Sequence, residues 1–112
     1  MRIISQDGRF DVPYEMVTVQ RYNTTIYYLN TNLAEGELNG LTLGIYSTEE
    51  KAIKAMEMLR ERYKKLETMK VLASGTAEYM EKALATDEMI KHYNAYCDMN
   101  VFQFPQDNEI EV

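Results

Sequence analysis

The hydrophobic pattern has a period of two through the first part of the chain and a period near 3.6 after it, so strands are predicted to precede helices. "RIIS" (2–5) leads into Asp7-Gly8, a dipeptide that favours a type I′ hairpin because both central residues there need positive φ. The return strand "RFDV" is closed by Pro13, which has no N–H to give to a ladder. In "MVTVQRY" (16–22), Val17 and Val19 fall on one face and Thr18 and Gln20 on the other. After Asn23-Thr24, the run "TIYYLNT" (25–31) is dense in β-branched and aromatic residues, which predicts a second hairpin. Residues 30–40, "NTNLAEGELNG", have the composition of a loop. "LTLGIY" (41–46) then alternates, with Leu41, Leu43 and Ile45 on one face.

A helix follows. Ser47 is placed as an N-cap with Glu50 three residues on, the spacing of a capping box. Ala52, Met56, Leu59, Tyr63 and Leu66 recur at steps of four and three and make one apolar stripe. Glu49 and Glu50 stand at the positive end of the helix dipole, while Arg60, Arg62, Lys64 and Lys65 stand nearer its negative end. The stop is expected between Thr68 and Ala73, with Gly75 as the C-terminal signal. A second helical region runs from about Thr76 to Cys97. Its stripe of Met80, Ala83 and Leu84 is interrupted at Asp87, and Thr86 could cap a fresh start, giving two short helices or one kinked one. These elements predict an α+β fold: an antiparallel β-sheet of four to five strands, one long amphipathic helix packed on one face, and a second helical region before a C-terminal strand, "VFQFP", that joins the sheet.

A chain of 112 residues is expected to form a single domain (1–112) around one modest core. It divides into a β-rich part (1–46), helical parts (47–73 and 76–97), a strand (101–105) and a loose acidic tail (106–112). No apolar run approaches the roughly 20 residues of a membrane helix, and "MRIISQDGRF" is too polar for a signal peptide, so a cytoplasmic location and no membrane contact are expected. The one cysteine, Cys97, fits a reducing compartment. The oligomeric state is left open, a dimer included.

Net charge is −6 and unevenly spread. Residues 1–47 carry three basic and five acidic side chains, 48–70 carry seven and five, and 71–112 carry two and eight. Phosphate-backbone affinity comes from lysine and arginine, so direct nucleic-acid binding is not expected of most of this surface.

Catalytic patterns are missing from the text of the chain. There is no phosphate-cradling glycine loop and no nucleophile elbow, and His92 and Cys97 lie five apart on different sides of a helix. Glu49/Glu50 and Asp87/Glu88 read as helix starts before they read as acid–base pairs. The expectation is a non-enzyme with no catalytic or metal residues and no cofactor. Binding is better supported. Nine tyrosines accompany no tryptophan, and Tyr22, Tyr27 and Tyr28 cluster on one hairpin, where adjacent Tyr27 and Tyr28 face opposite sides. Acidic residues gather in the last third (Glu78, Glu81, Asp87, Glu88, Asp98, Asp107, Glu109 and Glu111), where carboxylates could stand in for phosphates. The candidate partner-binding residues are therefore Tyr22, Tyr27, Tyr28, Glu78, Glu81, Asp87 and Glu88.

Two resemblances bear on the biological setting. "LGIYSTEEKAIKA" resembles the strand–helix junction of AP2-type and integrase arm-type DNA-binding domains, which implies a three-stranded sheet reading DNA while a helix braces its back. In those domains the sheet supplies the arginines, and the strands here offer Arg2, Arg9 and Arg21. Over more of the chain, "MRIISQDG" (1–8), "DVPYE" (11–15), "YSTEEKAIKAMEMLR" (46–60) and "FQFPQDNEIEV" (102–112) together resemble a group of small proteins encoded by bacteriophages, prophages and related mobile elements. That resemblance implies work in the cytoplasm of an infected bacterium. The expected partner is a host protein, for instance a nucleic-acid-binding defence enzyme held by an anti-CRISPR-like inhibitor.

Overall fold

A computed structural model describes residues 1–29, 41–81 and 86–112, of which 71–81 are described by backbone alone. The chain is α+β and falls into two compact units, one of residues 1–60 with 101–112 and one of residues 61–100.

In the first unit, β1 (Arg2–Ile4) pairs antiparallel with β2 (Asp11–Pro13), Ile3 facing Val12. The turn between them differs from the expected type I′. Gly8 takes a positive φ of 76°, Asp7 does not, and the Gly8 N–H donates to the Ser5 carbonyl at 2.9 Å. Asp7 instead accepts from the Ser5 hydroxyl and the Arg9 N–H, bonds that lock the loop from inside and hold its carboxyl below the usual range. The next strands, β3 (Thr18–Tyr22), β4 (Thr25–Leu29) and β5 (Leu41–Ile45), form an antiparallel sheet in that order.

Helix α1 (Glu49–Glu81) follows, then α2 (Asp87–Met99), and β6 (Val101–Gln103) returns to pair with β1, parallel to it. The strands therefore make two three-stranded sheets, not one sheet of four or five, and one pairing is parallel. Two features separate the sheets, one local and one long-range. Pro13 and the 3-10 turn at Tyr14–Met16 redirect the chain between β2 and β3, so these strands do not continue one ladder. The β5 edge is completed by a single residue, Gln6, whose N–H donates to the Leu43 carbonyl at 2.6 Å and whose side-chain oxygen accepts from the Ile45 N–H at 3.0 Å.

The core of this unit gathers Ile3, Val12, Ile26, Leu43, Tyr46, Phe102, Phe104 and Ile110 against α1, which contributes Ala52, Met56 and Leu59 of the predicted stripe and Ala55 beside it. Phe102 and Phe104 meet edge to face, with ring centroids 5.2 Å apart. Every buried side-chain polar atom among the described residues has a partner.

The helix starts one residue later than expected. Thr48 is the cap, its hydroxyl oxygen accepting from the Lys51 N–H at 3.2 Å, and the residue at the box position is Lys51, so Glu50 makes no capping box. Ser47 is occupied elsewhere, by Asp107. Nor does α1 stop between Thr68 and Ala73: it runs through Gly75 and Thr76 to Glu81, an interior glycine costing a helix only about 1 kcal/mol.

The second unit comprises the remainder of α1 and α2. Thr86 caps α2 as its sequence indicates, accepting from the Met89 N–H at 3.2 Å. Leu66 is buried and Tyr63 half-buried, in keeping with the stripe. The expected loop at 30–40 lies outside the described residues.

The C-terminal residues are not loose. Gln106 and Glu109 cap a short 3-10 turn at Asp107–Glu109, and Ile110 is buried in the core.

Candidate partner-binding face

One side of the β3–β4–β5 sheet is turned to the core and the other to solvent. Val17, Val19, Ile26 and Tyr28 belong to the core side. Strand alternation then puts Thr18, Gln20 and Tyr22 of β3 and Thr25, Tyr27 and Leu29 of β4 on the outer side, and the register adds Thr42 opposite Tyr27 and Ile45 opposite Thr25. None of these eight residues is charged, in a chain of which 27% is charged. The outer face thus offers hydroxyls, one amide, two phenol rings and two aliphatic side chains, and little there resists desolvation.

Tyr22 is 70% exposed and Ile45 60%, at one end of this face. Tyr27 lies at its centre, half-buried, with its hydroxyl donating to the Gln20 side-chain oxygen at 3.1 Å across the strands. Tyr28 points the other way, packs against the core and meets Phe10 edge-on at 6.5 Å. Of the tyrosine cluster, Tyr22 and Tyr27 form the face and Tyr28 supports it.

The alternation puts Ile45 on one face with Leu41 and Leu43, but the structure separates it from Leu43. A β-bulge explains the difference: Ile26 faces Gly44 and Tyr27 faces Thr42, so Leu43 is the extra residue and the faces change over across it. Leu43 and Gly44 are buried while Leu41 and Ile45 are exposed. Gly44 also admits the Tyr46 ring, since a Cβ there would stand 3.2 Å from it. A glycine inside a strand pattern is the one sequence signal of this bulge.

Charged groups near the sheet are engaged elsewhere. Arg21 lies on the core side, opposite Ile26, and its guanidinium donates to the Asn23 carbonyl at 3.1 Å and to Glu49 of α1 at 3.0 Å. Two of the tail carboxylates serve the fold. Glu109 accepts from the Gln106 N–H at 2.8 Å. Asp107 accepts from the Ser47 N–H and hydroxyl and from Lys51, and these partners, the backbone N–H foremost, hold its carboxyl below the usual range. Tyr46 beside them is buried, and burial, reinforced by Asp107 and Glu109, drives its phenol well above its ordinary value.

The remaining candidates belong to the other unit. Asp87 and Glu88 are exposed in the first turn of α2, and Glu88 lies 3.8 Å from His92. The side chains of Glu78 and Glu81 lie outside the described residues. His92 and Cys97 are both exposed on α2. Among the described residues, no three His, Cys, Asp or Glu side chains gather where they could hold a metal ion, and no helix is long and apolar enough to cross a membrane. No family model, curated protein or solved structure matches the chain.

Proposed function

We propose that the protein is a non-catalytic binding module of a bacteriophage or related mobile element, and that it engages a host protein through the outer face of β3–β4–β5. The observation that carries this reading is the uncharged face itself, with Tyr22 and Ile45 largely exposed at one end of it. Exposed tyrosine gives a partner contact area at small entropic cost, and a face without charges loses little on desolvation. The phage setting rests on the resemblance of the four sequence blocks. In that setting an inhibitor of a nucleic-acid-binding defence enzyme is the specific form proposed, with Asp87 and Glu88 as auxiliary acidic contacts. Asp107 and Glu109 are poor candidates for mimicry because their carboxylates are committed within the fold.

A second reading, DNA binding by the sheet, has one observation in its favour: three antiparallel strands followed by a helix. Against it, the outer face presents no cation, and the strand arginine Arg21 is tied to Glu49 on the core side.

Pull-down from a bacterial lysate separates the possibilities. The wild-type protein should capture a host protein that Tyr22→Ala with Ile45→Lys fails to capture, while Asp87→Lys with Glu88→Lys weakens capture only partly. Loss with the acidic pair and not the sheet pair would transfer the function to α2. A salt-sensitive shift of duplex DNA by the pure protein would favour the second reading.

A further inference from the structure

The edge of β3 carries an inference independent of what the sheet face binds. Among the described residues, β3 is the outer strand of its sheet and pairs with β4 alone. Its hairpin has a two-residue loop, Asn23-Thr24, so Tyr22 and Thr25 form the hydrogen-bonded pair that closes it. Alternation then directs the backbone groups of Thr18, Gln20 and Tyr22 to β4 and those of Val19 and Arg21 away from it. Among the described residues nothing bonds those outward groups. Proteins ordinarily protect such an edge with lysine, proline or a bulge. "TVQRY" has none of these, and its one charge, Arg21, is held by Glu49.

We infer that β3 is the pairing edge of a homodimer, in which two copies meet antiparallel about Gln20 and join their outer sheets into one of six strands. This register is self-complementary. Val19 faces Arg21 of the partner subunit and exchanges both backbone hydrogen bonds with it, and the two-fold repeat makes four such bonds. Thr18 faces the partner's Tyr22, and Gln20 faces the partner's Gln20, amide to amide, so no like charges stand opposite. The uncharged outer faces become continuous across the join, doubling the number of Tyr22 and Tyr27 rings on one surface.

A strand edge of five residues supplies less than the roughly 800 Å² per partner of a standard interface, so association is weak and concentration-dependent. Each copy carries a net charge of −6, so repulsion outside the neutral edge opposes pairing and salt relieves it. The test combines cross-linking with sedimentation. In a Cys97→Ser background, Gln20→Cys should form a disulfide-linked dimer on mild oxidation, because the two-fold axis brings position 20 against itself. Thr18→Cys, which faces Tyr22 of the partner subunit, should remain largely monomeric. Sedimentation of the wild-type protein should show a monomer–dimer equilibrium that moves toward dimer when salt is raised from about 0.05 to 0.5 M. A monomer at every salt and at concentrations up to about 1 mM would overturn the inference, as would equal cross-linking from both positions.

Discussion

Asp107 grips Ser47 with both carboxylate oxygens, one accepting from the backbone N–H at 2.7 Å and the other from the hydroxyl at 3.0 Å. Lys51, in the first turn of α1, adds hydrogen bonds to the Asp107 carboxylate at 3.2 Å and to its carbonyl at 2.9 Å. The C-terminal segment is thereby fastened to the junction between β5 and α1. Because the folded state lowers the Asp107 carboxyl, its stabilisation is present above the ordinary carboxylate value and lost as pH falls through the lower folded value. Asp107→Asn should therefore melt below wild type at neutral pH, and the two melting curves should converge as the pH is taken below about 4. Thermal melts across that range measure the gap; a gap independent of pH would mean the charge contributes nothing.

Tyr46 makes the second tie, its hydroxyl donating to the Pro105 carbonyl at 2.9 Å. Tyr46→Phe keeps the ring and removes the donor, so it should cost about 1–2 kcal/mol in denaturant unfolding. The same phenol is raised by folding, so its contribution holds below the ordinary tyrosine value and is lost as pH rises past it. In a spectrophotometric titration, Tyr46, identified by comparison with the Tyr46→Phe variant, should fail to ionise until the alkaline transition opens the fold.

Gly44 and Tyr46 are coupled by their close approach. Gly44→Ala sets a methyl 3.2 Å from the Tyr46 ring, so the ring must give by a few tenths of an ångström while its hydroxyl is held by the Pro105 carbonyl. The expected cost is about 1–3 kcal/mol, and in a double-mutant cycle with Tyr46→Phe the two losses should not add.

Leu59 anchors α1 with 1% of its surface exposed. Leu59→Ala should cost about 2–5 kcal/mol, and Leu59→Asp, which leaves a buried charge without a partner, should abolish cooperative unfolding. Circular dichroism melts of both variants check the helix face; an unchanged Leu59→Asp melt would place the stripe elsewhere.

Legibility in the sequence followed the range of the interactions concerned. The α1 stripe and the Thr86 cap depend on neighbours within a turn or two, and both were readable from spacing. The division into two sheets depends on Gln6 meeting Leu43 and Ile45, which no local pattern encodes. In "QDNEIEV", Ile110 is a lone apolar residue between acids and lacks any period, yet it is buried. Ser47 has the chemistry and the position of a cap, but an aspartate 60 positions away engages its hydroxyl instead. Within the candidate site, the cluster of Tyr22, Tyr27 and Tyr28 and the opposition of Tyr27 to Tyr28 are legible in the sequence, but which of the two faces outward follows only from the register of β3 on β4. Ile45 was not, because a single bulged residue at Leu43 exchanges the two faces.

The most direct test is residue-level protection mapping of the protein alone and bound to whatever host protein it captures, by hydrogen exchange with side-chain footprinting. On binding, Tyr22, Tyr27 and Ile45 should lose solvent access while the acidic first turn of α2 changes little. Protection confined to Asp87, Glu88 and their neighbours, with Tyr22 as reactive as before, would contradict it.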